Sequence, residues 1–162
     1  MVFIRKKRIK DQEYAYLVSN IWTKKGPRQQ TVRYLGKVYI PIKLKNYDFS
    51  DMLGKDLEGY LKGARPGRIL SDLVMFDLIN HGFKPESEDK VLWENGDVEV
   101  NLVEKTILSK SKKKPIVIQM NEGFLCHETM QDLFKIRLKV SDDEENMKGL
   151  GLELASSILG RD

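Results

Sequence analysis

Apolar and polar positions change their period as the chain proceeds. From residue 2 to about residue 45 they alternate in the two-residue rhythm of strands. Phe3–Ile9 alternates weakly, and Glu13–Trp22 is dense in aromatic and branched side chains. A third run, Arg28–Tyr39, carries Thr31, Val32, Tyr34, Leu35, Val38 and Tyr39. Such residues fit a pleated, half-buried surface. Lys10-Asp11-Gln12 reads as a tight turn between the first two runs. Thr23-Lys24-Lys25-Gly26-Pro27 reads as a longer loop between the second and third, because both breakers fall together. The pattern predicts a three-stranded antiparallel meander that ends before Pro41.

The period then lengthens. Ser50 can cap a helix running to about Lys62, with Leu53, Leu57, Tyr60 and Leu61 on one face, weakened by Gly54 and Gly59. Pro66 can open a second helix carrying Ile69, Leu70, Leu73, Val74, Phe76 and Leu78. Gly82 stops it, and Phe83 is placed to pack back. Alternation returns in residues 91–100 around Asn95-Gly96, a strong hairpin signal, and residues 115–120 read as a buried central strand. Two helices are expected to finish the chain. Leu125, Met130, Leu133 and Phe134 mark the first. The second opens on Ser141-Asp142-Asp143-Glu144, with capping-box spacing, and carries Met147, Leu150, Leu154, Ala155 and Ile158. The fold class expected is α+β: an N-terminal three-stranded antiparallel basic sheet, then a mixed body with a small sheet and about four helices.

Charge changes this picture more than composition does. The 162 residues are 41% hydrophobic, near the globular average, and 32% charged, above it. A single cysteine, Cys126, leaves no pair for an intramolecular disulfide. No apolar run is long enough to cross a membrane, and the basic start lacks the apolar stretch of a signal peptide. A soluble cytoplasmic protein is expected. The net charge of +4 conceals a division. Residues 1–45 hold 12 Lys/Arg and 2 Asp/Glu, whereas residues 46–162 hold 16 and 22. The chain therefore reads as a +10 β module, residues 1–45, followed by a −6 α+β body, residues 46–162.

Basic residues interleaved with aromatics suit contact with a polyanion that also offers stacking faces. The candidate nucleic-acid-binding residues are Arg5, Lys6, Lys7, Arg8, Tyr14, Tyr16, Trp22, Lys24, Lys25, Arg28, Arg33, Tyr34 and Lys37. Strand alternation puts Arg5 and Lys7 on one face and Lys6 and Arg8 on the other. It likewise groups Tyr14, Tyr16 and Val18 against Ala15, Leu17 and Ile21. Lysines also protect strand edges, but that role needs two or three of them, not a surplus of ten.

Catalytic patterns are weaker. Gly149-Leu150-Gly151 lacks the lysine of a phosphate loop. His81 and His127 have no companion ligand at helical spacing, and His81 reads as a helix-end residue. Cys126 and His127 are adjacent, so on a helix they point about 100° apart and do not form a thiol–base pair; Cys126 reads as buried or helix-starting. Glu94, Asp97 and Glu99 lie on the hairpin, with Glu94 and Asp97 expected in solvent, and Glu122 follows the central strand. Together with a metal they would make a nuclease, the least favoured alternative. No enzyme, metal or cofactor is expected.

The run Ile4-Arg5-Lys6-Lys7, Tyr14-Ala15-Tyr16-Leu17-Val18 and Arg28 to Lys37, with its Tyr34-Leu35-Gly36, resembles the opening of DDE-type insertion-sequence transposases over residues 3–38. The resemblance implies a nucleic-acid-contacting module. It does not imply transposition, since the remaining 120 or so residues are too few for the catalytic domain and carry no matching acid triad. Asn80-His81-Gly82-Phe83, the segment Asn121–Cys126 and Gly151–Ala155 together resemble a group of small uncharacterised archaeal proteins, which implies an archaeal cytoplasmic origin and no activity.

The expected function is non-enzymatic binding of structured RNA or the ribosome, as a translation-associated factor. No basic recognition helix points to major-groove reading, and tyrosines on a sheet suit backbone and stacked-base contacts. The acidic body could meet a basic ribosomal protein, and Trp93 with the 98–103 strand could form a homodimer edge. A DNA-binding regulator or mobile-element accessory protein is the alternative.

Overall fold

A computed structural model describes residues 1–121 and 123–132. The three N-terminal strands form as the alternation requires: β1 (Val2–Ile9), β2 (Gln12–Thr23) and β3 (Gly26–Tyr39), paired antiparallel in sequence order. Three short helices follow, α1 (Phe49–Leu53), α2 (Leu57–Gly63) and α3 (Pro66–Asn80). Next comes an antiparallel meander of four strands: β4 (Lys84–Pro85), β5 (Leu92–Asn95), β6 (Val98–Asn101) and β7 (Thr106–Ser109). β8 (Ile116–Met120) and β9 (Gly123–Leu125) return to the first sheet, and residues 127–132 are helical. The larger sheet runs β1-β2-β3-β8-β9, with β8 parallel to β3. The class is α+β.

Because β8 pairs with Lys37–Tyr39, the N-terminal strands and part of the body share one sheet. Ala15, Leu35 and Val38 pack with Val117 and Cys126 on one side of it. On the other side Ile116, Ile118 and Met120 meet Val74 and Leu78 of α3 and Trp93, Val98 and Val100 of the meander.

Several elements depart from expectation for local reasons. The helix expected from Ser50 to Lys62 is two helices. Gly54, at φ 59°, ends α1 in the left-handed conformation, and the Asp56 carboxylate restarts the chain by accepting from Gly59 N at 2.8 Å. Its first cap is Asp48, not Ser50. The loop expected at 23–28 is a tight connection of two residues, Lys24 and Lys25, and Pro27 lies within β3 opposite Trp22. Proline is tolerated there because, among the described residues, this half of β3 has no strand on its other side. Leu125 belongs to β9 rather than to a helix. Trp93 is 2% exposed and β6 lies between β5 and β7, so neither offers an open edge for a second copy. Leu133, Phe134 and the helix expected from Ser141 lie outside the described residues.

α3 follows its sequence signals closely. Pro66 occupies its first turn, and Gly82 (φ 79°) turns the chain so that Phe83 N reaches Leu78 O at 2.9 Å. The helix is covered from two directions. Ile69, Leu73 and Phe76 pack on α1 and α2, while Val74 and Leu78 face the sheets. Its buried polar groups are engaged as well. Asp72 accepts from Tyr60 Oη at 2.6 Å and Arg68 Nε at 3.0 Å. The Asn80 carbonyl accepts from Leu44 N and Lys45 N, and its side chain from Tyr47 N, which ties down the extended segment after β3.

Candidate nucleic-acid interface

The pairing register decides which predicted site residues meet. Phe3, Arg5 and Lys7 of β1 lie opposite Val18, Tyr16 and Tyr14 of β2; Tyr14 and Tyr16 lie opposite Lys37 and Tyr34 of β3. Cross-strand partners share a face, so Arg5, Lys7, Tyr14, Tyr16, Tyr34 and Lys37 form one surface. β3 carries an extra residue at each of two bulges, Leu35 and Val32, and the first of these keeps Tyr34 on the tyrosine side while Leu35 turns into the core. Tyr34 is the hub, with ring centroids 5.4 Å from Tyr16 and 6.3 Å from Tyr14. Burial among these rings, and the two neighbouring phenols, push the Tyr34 hydroxyl above its ordinary range. It therefore stays protonated at neutral pH and can donate to a phosphate oxygen.

The remaining predicted cations are distributed otherwise. Lys6, Arg8, Arg28 and Arg33 point to the opposite face. There Lys6 bridges Glu13 (3.0 Å) and Gln119 (2.9 Å), Arg33 meets Glu128 (3.3 Å), and Arg8 meets Asp11 (3.5 Å). On the tyrosine face no carboxylate answers Lys7 or Lys37 among the described residues, and Arg5 reaches only the neutral Gln29 amide. Glu13 thus lies on the face away from the tyrosines, where Lys6, Arg8 and Arg33 are paired and Arg28 is not, while Lys7 and Lys37 sit with the aromatics and make no ion pair among the described residues.

The third component is an arm. β1 stops pairing at Val2–Ser19, with one further bond from Asn20 N to Met1 O at 3.3 Å, and β8 covers β3 only at Lys37–Tyr39, so among the described residues the backbone of 21–28 pairs only with itself. The resulting two-stranded ribbon ends in Lys24 and Lys25. Thr23 Oγ1 fixes the turn, donating to Gly26 O at 2.8 Å and accepting from Lys25 N at 3.3 Å. Trp22 flanks the turn with 85% of its surface in water. An indole so exposed adds nothing to a core and presents an open stacking face.

The hairpin acids serve a different purpose from the one weighed for a nuclease. Asp97 accepts from Ser109 Oγ (2.5 Å), Ser111 N (2.8 Å) and Ser111 Oγ (3.0 Å), which holds its carboxyl below the usual range. Glu94 pairs with Lys110 and Glu99 with Lys113. They organise the loop after β7, with Asp97 exposed to solvent as expected and Glu94 partly buried. Glu122 lies outside the described residues. Cys126 is buried, and burial raises its thiol; its N–H bonds Thr129 Oγ1 at 2.8 Å, while His127 Nδ1 is 2.6 Å from Lys105 O. His81, at the end of α3, is buried against Asp77 O. Among the described residues no group of three His, Cys, Asp or Glu could hold a metal ion, and no helix is long and apolar enough to cross a membrane.

Comparison with models of protein families, with curated proteins and with solved structures finds no match for this chain.

Proposed function

We propose that this chain is a non-enzymatic nucleic-acid-binding protein. It contacts structured RNA, with the ribosome as the setting, through the arm tip and the tyrosine face. The observation that carries this reading is the difference between the two faces: Lys6, Arg8 and Arg33 are paired on one, and on the other Lys7 and Lys37, without an ion pair among the described residues, lie beside a cluster of three tilted tyrosine rings. A polyanion with unpaired bases satisfies both halves of that surface. Phosphates meet the cations, and bases stack on Tyr and Trp for about 1–3 kcal/mol each. Duplex DNA keeps its bases stacked internally and offers Trp22 nothing comparable. The exposed indole therefore favours RNA loops and single-stranded segments. A cytoplasmic setting accompanies this reading.

The arm also supports a second reading. A two-stranded ribbon fits the B-DNA major groove, as a DNA-binding regulator would require. Binding titrations on a structured RNA and a DNA duplex of equal length separate the two. If Arg5, Lys7, Lys24, Lys25 and Lys37 each meet a phosphate, the salt slope on single-stranded RNA is about −3.5 at roughly 0.7 per contact. Tighter binding to the duplex would favour the DNA reading. Absent or salt-independent binding to both would refute each. Co-sedimentation with ribosomal particles, abolished by RNase, is the result expected for the ribosomal setting.

A further inference from the structure

The lysine-rich loop Lys110-Ser111-Lys112-Lys113-Lys114 is far from the arm in sequence, but the parallel pairing brings it to β3. Pro115 O accepts from Lys37 N at 3.4 Å, and Lys37 lies opposite Ile116. The approach depends on Gly36. At φ 145°, a Cβ there would stand 2.5 Å from Pro115 O. Pro115, the residue that follows Lys114, is therefore seated beside Gly36 and Lys37, which brings the end of the loop to the inner end of the tyrosine face.

The loop is held in shape. Ser109 N donates to Lys114 O at 2.9 Å and Lys113 N to Ser109 O at 2.8 Å; Asp97 binds Ser109 and Ser111 from below. Two of its lysines are neutralised, Lys110 by Glu94 and Lys113 by Glu99. Lys112 and Lys114 are exposed and make no ion pair among the described residues. The loop thus presents two cations on a fixed backbone where the row of tyrosines ends.

Resting on the reading of the arm and tyrosine face as a nucleic-acid surface, we propose that this loop is the far anchor of the same track. A single-stranded RNA segment runs from Trp22 and the arm tip along Tyr34 and Tyr14, and Lys112 and Lys114 hold its backbone at the other end. Trp22 and Tyr14 are eight residues apart on β2, roughly 26 Å at about 3.3 Å per residue. That is about eight nucleotides at the 3.4 Å rise of a stacked strand. The loop extends the track beyond that, so a segment of about five nucleotides reaches only part of it and one of about twelve reaches all of it.

The experiment measures binding of unstructured RNAs of about 5 and about 12 nucleotides, over a range of salt, to the full chain and to the Lys112→Gln/Lys114→Gln variant. The expected result is an affinity for the longer RNA about tenfold lower in the variant. Its salt slope should be shallower by about 1.4, for two lost phosphate contacts. Binding of the shorter RNA should be unchanged. If the variant matches the native chain in both affinity and slope on the longer RNA, the far anchor is refuted while the arm reading stands. If the native chain binds neither RNA, the arm reading fails and takes the anchor with it. Both substitutions are on exposed side chains, and circular dichroism of the variant confirms that the fold is intact.

Discussion

Asp77 is buried on α3, and burial raises its carboxyl to about 7 despite Lys43 nearby, while His81 Nδ1 lies against its backbone oxygen. An acid whose folded pKa exceeds its unfolded value is penalised as it ionises. The native state holds the proton more tightly, so stability falls as pH rises from about 4 to about 7 and stays low above that. Asp77→Asn removes the penalty. The variant should exceed the native chain in urea midpoint at pH 8 by an amount worth about 2–4 kcal/mol, with the difference shrinking toward pH 4. Gly36 gives the opposite case. Its positive φ and the Pro115 carbonyl 2.5 Å from any Cβ leave no room to adjust. Gly36→Ala should cost about 2–3 kcal/mol, read as a lower denaturation midpoint. Neither residue announces itself in sequence. Asp77 looks like a polar position on an amphipathic helix, and the partner of Gly36 is almost eighty residues away.

At the scale of elements, α3 was the most legible. Pro66 at its start, Gly82 at its end and a continuous apolar series are all local signals. The strands β1, β2, β3 and β8 were legible for the same reason. What local pattern could not supply was pairing across distance: the parallel β3–β8 contact, and so the position of the lysine-rich loop. Short breaks were also hidden, because a glycine inside an apolar series can either weaken a helix or end it, and Gly54 ends it in the left-handed conformation with its N–H bonded to Ser50 O and Asp51 O. The double covering of α3 has an energetic consequence. Leu78 is fully buried between the sheets and the helix, so Leu78→Ala should destabilise the chain by about 2–5 kcal/mol in chemical denaturation.

For the whole molecule, the candidate site was half visible. Alternation separated Arg5 and Lys7 from Lys6 and Arg8, but only the body supplies Gln119 and Glu128, which engage Lys6 and Arg33, whereas no ion pair engages Lys7 or Lys37 among the described residues. The two faces should therefore respond differently to the same loss of charge. Substituting Arg5, Lys7 and Lys37 by Gln should reduce the RNA salt slope by about 2 and leave stability within about 0.5 kcal/mol. Substituting Lys6, Arg8 and Arg33 should reduce the slope by less than 1. It should also lower the denaturation midpoint, because Lys6 and Arg33 join the N-terminal strands to the body. Paired titrations and melts on both triple variants check this.

The arm has a consequence for how the molecule would take hold of a partner. Two strands without a third are marginal in water, so the amides of residues 21–28 should exchange with solvent far faster than those of Ile116–Ile118 in the middle of the sheet. An arm that frays on its own must give up that freedom when it is held. Affinity would then carry an ordering cost, and the gain in amide protection on adding RNA should be concentrated between Asn20 and Gln29. Joining the two strands of the arm covalently near Trp22 would remove part of that cost in advance, and should slow release of the partner more than it hastens capture.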